Sequence, residues 1–264
     1  GRAIQNIINI ESDDKVKAFL VTQDLKDEEY VNSHYVIMAT KKGQVKKTSL
    51  EQYSRPRANG INAITIKEDD ELLEAKLTTG DSQVMLALKS GKAIRFEEAK
   101  TRPMGRTASG VRAITLKDDK DEVIGMVAVN DLNCDILVVS EKGYGKRSSL
   151  EDYRITNRGG KGVKTLNISE KTGNLVAIKN VDDKNDLMII NKSGLTIRMA
   201  VEDLRVMGRA TQGVRLINIK EDDAIAAVAK VVHEDENETE SESDLEIDNA
   251  TDIENESNEN ENQE

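Results

Sequence analysis

Basic side chains give the clearest chemical pattern in this sequence, because they recur at fixed positions of a repeat. The position four residues after a turn glycine is basic four times, at Lys47, Arg95, Arg147 and Arg198. Lysine and arginine bind phosphate oxygens, and an array of them neutralises a nucleic-acid backbone. One exposed cation is usually a solvated charge or a guard against edge pairing. Recurrence in all four repeats favours a binding role instead.

A second set of cations flanks a glycine-rich loop in each repeat. Arg106, Arg158 and Arg209 stand four residues before the loop glycine, and the first repeat offers Arg55 and Arg57 instead. The residues two positions after the loop glycine are Asn62, Arg112, Lys164 and Arg215. Glycine lets a main chain approach phosphate closely and leaves amide groups free to donate. We therefore expect these loops to bind phosphates.

Two glycine landmarks define the repeat that positions these side chains. The turn glycines are Gly43, Gly91, Gly143 and Gly194, and the loop glycines are Gly60, Gly110, Gly162 and Gly213. Both series keep a period of 48 to 52 residues. A period near fifty with several strands per unit is typical of propeller-like or solenoid arrays. The predicted repeats are about 15–70, 71–120, 121–173 and 174–223.

The apolar segments are short, rich in β-branched residues and bounded by Gly, Asn and Asp, which favours strands over helices. In the first repeat the predicted strands are 16–22, 35–40, 44–48 and 61–66. The later repeats follow the same scheme, with closing strands at 111–116 and 163–168. The polar insertion 23–34 is predicted to be a loop. Residues 225–232 are predicted to be the first strand of a fifth unit, so the fold class is all-β.

The formal net charge of −11 is unevenly distributed. Residues 233–264 contain 15 acidic residues and no Lys or Arg, which leaves 38 basic and 34 acidic residues in 1–232. A basic body with an acidic tail suggests nucleic-acid contact. The tail has too few apolar residues to offset its ordering entropy, so 233–264 is predicted to be disordered.

Catalytic and metal chemistry have little support in the sequence. The two histidines, His34 and His233, lie far apart, and Cys134 is the single cysteine. No metal-ligand spacing, P-loop or catalytic triad is present, so we expect no catalytic residue, no metal site and no cofactor. The recurring Asp clusters are predicted to form turns. No apolar run reaches the roughly 20 residues of a membrane helix.

Three segments carry a family resemblance. Residues 41–48 (KKGQVKKT), 143–147 (GYGKR) and 206–215 (VMGRATQGVR) closely resemble the C-terminal domain of the bacterial DNA gyrase A subunit. The resemblance covers residues 1–232 and implies a β-pinwheel, a six-bladed propeller-like ring whose blades exchange strands. It also implies that the rim binds and bends double-stranded DNA.

The resemblance further implies a non-catalytic part of an ATP-dependent type II DNA topoisomerase that introduces negative supercoils. ATP and Mg²⁺ would act in other parts of that enzyme. The implied partners are the N-terminal part of the gyrase A subunit, together with the gyrase B subunit, in an A2B2 holoenzyme in the bacterial cytoplasm at the nucleoid. The predicted DNA-binding residues are Lys46, Lys47, Arg55, Arg57, Lys92, Arg95, Arg102, Arg106, Arg112, Lys146, Arg147, Arg158, Lys161, Lys164, Arg198, Arg205, Arg209 and Arg215.

The sequence departs from the family pattern in two respects. It supplies four complete repeats plus terminal strands, so about two N-terminal blades are expected to be missing. The family's characteristic basic box belongs to its first blade, whereas a box-like loop stands here in the third repeat, at Asn157, Arg158, Gly159, Gly160, Lys161 and Gly162. Two alternatives remain open: the equivalent domain of topoisomerase IV, which serves decatenation, and a propeller-like protein-interaction scaffold without DNA binding.

Overall fold

The computed structural model describes residues 14–57, 59–220 and 222–232. These residues form fifteen strands in four antiparallel sheets and one short α-helix, which confirms the all-β class. The predicted disordered tail at 233–264 and the first thirteen residues lie outside the described residues.

Three sheets have four strands, and the fourth sheet has three. The first sheet contains β1 (Tyr35–Thr40), β2 (Gln44–Ser49), β3 (Leu72–Thr78) and β6 (Val111–Arg112). The second contains β4 (Gln83–Leu88), β5 (Lys92–Glu97), β7 (Val123–Val129) and β10 (Val163–Lys164). The third contains β8 (Asp135–Ser140), β9 (Tyr144–Ser149), β11 (Leu175–Val181) and β14 (Val214–Arg215). The fourth contains β12 (Asn185–Asn191), β13 (Thr196–Ala200) and β15 (Ile225–Val232).

Every sheet combines strands from two consecutive repeats. The hairpin β1–β2 pairs with β3 on one side and with β6 on the other, and both of those strands belong to the following repeat. The second and third hairpins receive their outer strands in the same way. The strand exchange implied by the family resemblance is thereby confirmed. Each exchanged strand covers an edge that would otherwise expose unpaired backbone groups.

The exchange explains why two predicted strands do not form. Segments 16–22 and 61–66 carry no strand pairing, although they occupy the repeat positions of β3 and β6. Those positions pair with the hairpin of the preceding repeat, and the described residues contain no hairpin before Tyr35. The closing strands predicted at 111–116 and 163–168 are each only two residues long.

The predicted loop at 23–34 contains the helix α1 (Glu28–Ser33). Asp27 caps this helix, because its carboxylate accepts hydrogen bonds from the backbone N–H groups of Glu29 and Tyr30. A capping Asp followed by two acidic residues is a recognisable N-terminal signal, which the interpretation as a polar loop missed. Val31 anchors the helix in an apolar cluster on the first sheet.

Neighbouring sheets pack face to face and share their cores. On β4, Val84 and Leu86 pack in the cluster with the first sheet, whereas Met85 and Ala87 pack in the cluster with the third. All four side chains are fully buried. Interior strands are therefore continuous apolar runs rather than alternating ones.

The hairpin turns are built from glycine and aspartate. All four turn glycines have positive φ, between 79° and 89°, where other residues are strained. The carboxylates of Asp70, Asp121 and Asp223 accept hydrogen bonds from backbone N–H groups of the turns, at Lys42, Ser90 and Ser193 respectively. These contacts confirm turn formation for the clusters that end at Asp70 and Asp223, and Asp121 has the same role two residues after the cluster at 118–119.

Candidate nucleic-acid interface

The four repeated cations after the turn glycines do not share an exposed face. Lys47, Arg95 and Arg147 are between 4% and 9% exposed, whereas the Arg198 side chain is 54% exposed. The prediction that all four face outward as DNA ligands is therefore wrong for the first three. Their partners show why.

Each of these cations contacts the residue twelve positions earlier, on the adjacent strand. The contacts are Lys47 Nζ to the Tyr35 ring centroid at 4.1 Å, Arg95 Nε to Gln83 Oε1 at 2.8 Å, Arg147 Nε to Asp135 Oδ2 at 2.5 Å and Arg198 Nε to Asp186 Oδ2 at 2.6 Å. Cross-strand neighbours on one face of a sheet lie within reach of long side chains. Each repeat thus contains a structural pair within its hairpin.

The buried cations also bind the following repeat, at one recurring position. Lys47 pairs with the Glu98 carboxylate at 2.9 Å, Arg95 donates to the Leu150 carbonyl at 2.8 Å, and Arg147 donates to the Val201 carbonyl at 3.3 Å. Glu98, Leu150 and Val201 each follow the second hairpin strand of the next repeat. These cations fasten one repeat to the next. Arg198 lies in the last hairpin of the described residues, which leaves it exposed.

Lys46 and Lys146 are also structural rather than ligand-binding. Lys146 is 1% exposed, and its ammonium donates to the carbonyl groups of Gly208 at 2.8 Å, of Thr211 at 3.2 Å and of Arg209. Lys46 donates in the same way to the carbonyls of Ala63 and Arg106. Burial, aided by Arg106 and Arg209 respectively, lowers the pKa of Lys46 and of Lys146 to about 8. Their assignment as DNA contacts is corrected accordingly.

The loop arginines connect consecutive loops. Arg106, Arg158 and Arg209 are half-buried. Their Nη1 atoms donate to the carbonyls of Asn62 at 3.1 Å, of Arg112 at 3.1 Å and of Lys164 at 2.7 Å, respectively. Each acceptor stands two residues after the loop glycine of the preceding repeat. The basic loops are therefore joined one to the next, and each guanidinium is held beside an exposed position that is basic in two of the three cases.

The loop glycines serve packing, contrary to the expectation that they approach phosphate. A Cβ at Gly110, Gly162 or Gly213 would lie 2.5 to 2.6 Å from a backbone carbonyl oxygen in the hairpin of the preceding repeat. All three have positive φ. Gly60 has no atom within 4 Å of the same position, because the described residues contain no hairpin before Tyr35 on which the first loop could pack.

Most of the other predicted cations remain accessible in these loops. We define the loop band as residues 54–66, 99–117, 153–169 and 204–220, omitting the undescribed residue 58; these four segments contain no Asp or Glu. Its exposed predicted cations are Arg55, Arg57, Arg102, Arg112, Lys161, Lys164, Arg205 and Arg215. The half-buried Lys92 stands opposite Lys164 on the neighbouring strand.

The band also contains exposed cations that sequence reasoning missed, namely Lys100, Arg154, Lys117 and Lys220. The absence of acidic residues over whole loops could have identified them. The box-like loop lies within the band. Asn157, Gly160 and Lys161 are exposed there, while Arg158 Nε donates to the Lys100 carbonyl at 3.0 Å.

Groups with catalytic potential are engaged in packing. Tyr153 is 1% exposed, and burial raises its pKa to about 12. Burial likewise raises the pKa of the Cys134 thiol. Within the described residues, no group of three or more His, Cys, Asp or Glu side chains is placed to hold a metal ion. Nor does any helix of the described residues have the length and apolar character to cross a membrane.

A family model described as "DNA gyrase C-terminal domain, beta-propeller" matches residues 34–79, 84–130, 135–182 and 185–231. The chain belongs to this family. Each matched segment begins at the first strand of a hairpin. It ends at the long strand of the following repeat that pairs with this hairpin. The unit of the gyrase family thus coincides with the three long strands of one sheet, whereas the repeats predicted from glycine spacing cut across two sheets.

The relatives found by sequence are whole gyrase subunits. The chain is 43% identical to the DNA gyrase A subunit of Staphylococcus epidermidis (strain ATCC 12228 / FDA PCI 1200) over 237 residues, which are 89% of this chain and 26% of that protein. The DNA gyrase A subunit of Staphylococcus aureus (strain NCTC 8325 / PS 47) is 42% identical, with the same coverage. The chain thus spans about a quarter of the length of these relatives.

Two solved structures share the fold. The C-terminal domain of DNA topoisomerase IV superposes with a TM-score of 0.82 at 23% identity, covering 93% of this chain and 75% of that one. The DNA gyrase A C-terminal domain gives a TM-score of 0.77 at 21% identity, covering 88% and 75%. Together with the strand exchange, these likenesses confirm the predicted β-pinwheel fold.

Proposed function

We propose that this domain binds double-stranded DNA along the loop band and bends it, so that its parent enzyme introduces negative supercoils. One observation carries the proposal: four consecutive loops without acidic residues present exposed cations at recurring positions, and guanidinium-to-carbonyl hydrogen bonds join each loop to the next. The joined loops give a continuous basic surface rather than isolated charges.

The physical chemistry of the band suits backbone recognition. Neutralising phosphates releases counterions, which supplies sequence-independent affinity. Bending a site of 20 to 30 base pairs costs on the order of 1–6 kcal/mol, which evenly spaced contacts can offset. The described residues include no recognition helix, since α1 has six residues. We therefore propose recognition of backbone and shape rather than of base edges.

The names of the sequence relatives suggest the partners. We propose that the domain acts with the rest of the gyrase A subunit, and with the B subunit, in an A2B2 holoenzyme in the bacterial cytoplasm at the nucleoid. ATP and Mg²⁺ would be used by those other parts, and this domain would contribute no catalytic residue. Gyrase-type supercoiling is favoured over decatenation because the relatives at 42–43% identity are gyrase A subunits.

The test compares two triple variants of equal charge change. The band variant removes one exposed cation from each of three loops and carries Arg102→Gln, Lys161→Gln and Arg205→Gln. The control variant removes three exposed cations outside the band and carries Lys26→Gln, Lys184→Gln and Lys192→Gln. Fluorescence anisotropy with a 40-base-pair duplex over a salt series gives the affinity and the log–log salt slope. The band variant should lose about 0.9 units of slope per lost contact, roughly 2.7 in all, while the control retains the parent slope.

Equal slopes for the two variants would contradict binding along the band. Wrapping needs a separate measurement, because binding alone does not require it. Nicked circular DNA is sealed by ligase with and without the domain, and the linking number of the product is compared. A changed linking number supports wrapping, and an unchanged one at saturating protein rejects it.

A further inference from the structure

A small cavity of about 190 Å³ opens beside Tyr144, at one end of the loop band. We call it the Tyr144 pocket, and its basic and aromatic lining is Lys142, Tyr144, Lys171, Arg215 and Lys220. At about 30 Å³ per water molecule, the volume corresponds to roughly six waters. That space suits a compact ion or group rather than a drug-sized ligand.

Arg215 is held in place at the pocket by three hydrogen bonds. Its Nε and Nη2 atoms donate to the Tyr144 hydroxyl at 3.2 and 2.8 Å, and its Nη1 atom donates to Asn218 Oδ1 at 3.0 Å. The register of β9 and β14 places Tyr144 and Arg215 directly opposite each other. Of the five N–H groups of the guanidinium, two remain available to an incoming acceptor. The side chain is therefore preorganised, with donors still to offer.

The pocket is lined by four cations and one carboxylate, so its net charge is positive. In the part of the chain that the structure describes, none of its four cations forms an ion pair with a carboxylate. Lys171 Nζ and Arg215 Cζ each lie 5.3 Å from the centroid of the Tyr144 ring. The hydrogen bonds from Arg215 lower the pKa of Tyr144. The Tyr144 ring thus attracts two cations, and both lie close enough together to contact the same bound anion.

One carboxylate, that of Asp223, also lines the pocket, but its oxygens have other partners. Oδ1 accepts from the backbone N–H groups of Ser193 and Ala224, at 3.2 and 2.8 Å. Oδ2 accepts from Asn191 Nδ2 at 2.5 Å and from Ser193 Oγ at 2.8 Å. Asp223 therefore belongs to the hairpin turn of the fourth sheet and forms no ion pair with the lysines, and its single negative charge offsets only one of the four cations.

A second cavity, of about 540 Å³, lies at the equivalent place one repeat earlier. There Lys164 takes the position of Arg215, and Lys117 and Lys120 add further cations to the lining. Lys92 stands opposite Lys164, where the third sheet has Tyr144 opposite Arg215. The second cavity is lined by two carboxylates, those of Asp118 and Asp121, and is more open, so the Tyr144 pocket has the stronger anion-binding character. Because a cavity occurs at the same place in two consecutive repeats, both cavities follow the period of the loop band.

We propose that the Tyr144 pocket binds a phosphate group, with the Arg215 guanidinium donating to two phosphate oxygens and Lys171 and Lys220 supplying charge. A tetrahedral dianion matches two free guanidinium N–H groups flanked by ammonium groups. The phosphate can come from the DNA backbone or from a free phosphate-bearing molecule. The DNA source rests on the function proposed above, whereas the phosphate site itself does not.

The experiment uses pyrophosphate and a duplex as separate probes of the whole chain. In ¹H–¹⁵N NMR at low ionic strength, pyrophosphate should shift the Arg215 Nε–H and Tyr144 amide resonances saturably. Lys171→Gln with Arg215→Gln should abolish the response. Tyr144→Phe keeps the ring but removes the hydroxyl that orients Arg215, so it should weaken pyrophosphate binding several-fold. Lys184→Gln with Lys192→Gln is the control of equal charge and should respond like the parent.

The duplex arm identifies the source of the phosphate. If the pocket holds a DNA phosphate, the Lys171→Gln, Arg215→Gln variant lowers the salt slope of duplex binding by about 1. An unchanged slope with lost pyrophosphate binding supports a free phosphate ligand. If pyrophosphate gives a saturable response but the protein binds no duplex, the phosphate site is supported and the proposed DNA-binding function is rejected. No saturable response at Arg215 in the parent, together with an unchanged duplex slope in the variant, overturns the phosphate site.

Discussion

Basic side chains in this domain either connect two repeats or face solvent. The contacts that each side chain makes determine which of these two roles it has. Arg147 contacts Asp135 on its own sheet and Asp183 and the Val201 carbonyl beyond it. Arg102 and Lys161, by contrast, are exposed and lie among loops without carboxylates. A desolvated cation needs a counter-charge or carbonyl groups nearby, whereas a solvated one is free to meet a phosphate. The same residue type therefore has opposite roles at two positions of one repeat.

Replacing Arg147 by methionine should destabilise the domain without weakening DNA binding by the folded protein. Asp135 has a side chain only 15% exposed, and the substitution leaves its charge without the guanidinium. Removing one partner of a buried pair costs about 3 kcal/mol, and the exposed Asp183 adds little. Urea unfolding followed by circular dichroism gives the loss, and duplex anisotropy below the transition gives the affinity.

The double variant Arg147→Met, Asp135→Leu is the matched control. Replacing both charges with apolar side chains removes the unpaired carboxylate, so most of the lost stability should return. If Arg147→Met instead keeps the parent stability but lowers the DNA salt slope, the side chain is a DNA ligand and its structural assignment here is wrong.

At the scale of elements, glycines set how closely a loop lies against the preceding sheet. Gly162 packs its backbone on Ala93, and no side chain fits between the two. The contact brings Lys161 and Lys164 of the same loop to the exposed side of the second sheet. The position of Lys161 and Lys164 in the loop band thus depends on an uncharged residue, Gly162.

Alanine at Gly162 should cost more stability than alanine at Gly60. Both glycines have positive φ, 70° and 77°, so each substitution strains the backbone by on the order of 1 kcal/mol. At Gly162 the new Cβ would also lie 2.6 Å from the Ala93 carbonyl oxygen, whereas at Gly60 nothing lies within 4 Å. Urea midpoints of the two variants give the difference, which we expect to exceed about 1 kcal/mol. Equal midpoints would show that the contact does not constrain the loop.

The elements were predictable from sequence to the extent that their signals are local. Glycine spacing gave the period, and apolar runs gave the long strands of every sheet. The assignment of strands to sheets was not predictable from these signals, because β3 and β6 pair with residues 32 to 68 positions earlier in the chain. Burial of Lys47 and Arg95 also escaped prediction, since their partners Glu98 and Leu150 lie in the following repeat. A periodic cation looks the same in sequence whether it binds a ligand or the next repeat.

At the scale of the whole molecule, strand exchange makes the sheets depend on one another. A solenoid of self-contained repeats gains stability from each unit and from each nearest-neighbour interface separately. Here the strands of one repeat are divided between two sheets, so no repeat completes a sheet alone. The cores are shared as well, because each apolar cluster between sheets draws residues from both of them. We therefore expect the described sheets to unfold together.

Phe96→Ala tests this expectation in the core between the first and second sheets. Phe96 is fully buried, and its truncation should cost about 3–5 kcal/mol through lost burial and the resulting cavity. Hydrogen exchange followed by mass spectrometry should then show reduced protection in β1, β4 and β8 alike. If the amide hydrogens exchange through independent local openings, protection falls only in the first two sheets and β8 keeps the protection of the parent protein. A confined loss would show that exchanged strands close the edges of the sheets without coupling their stability.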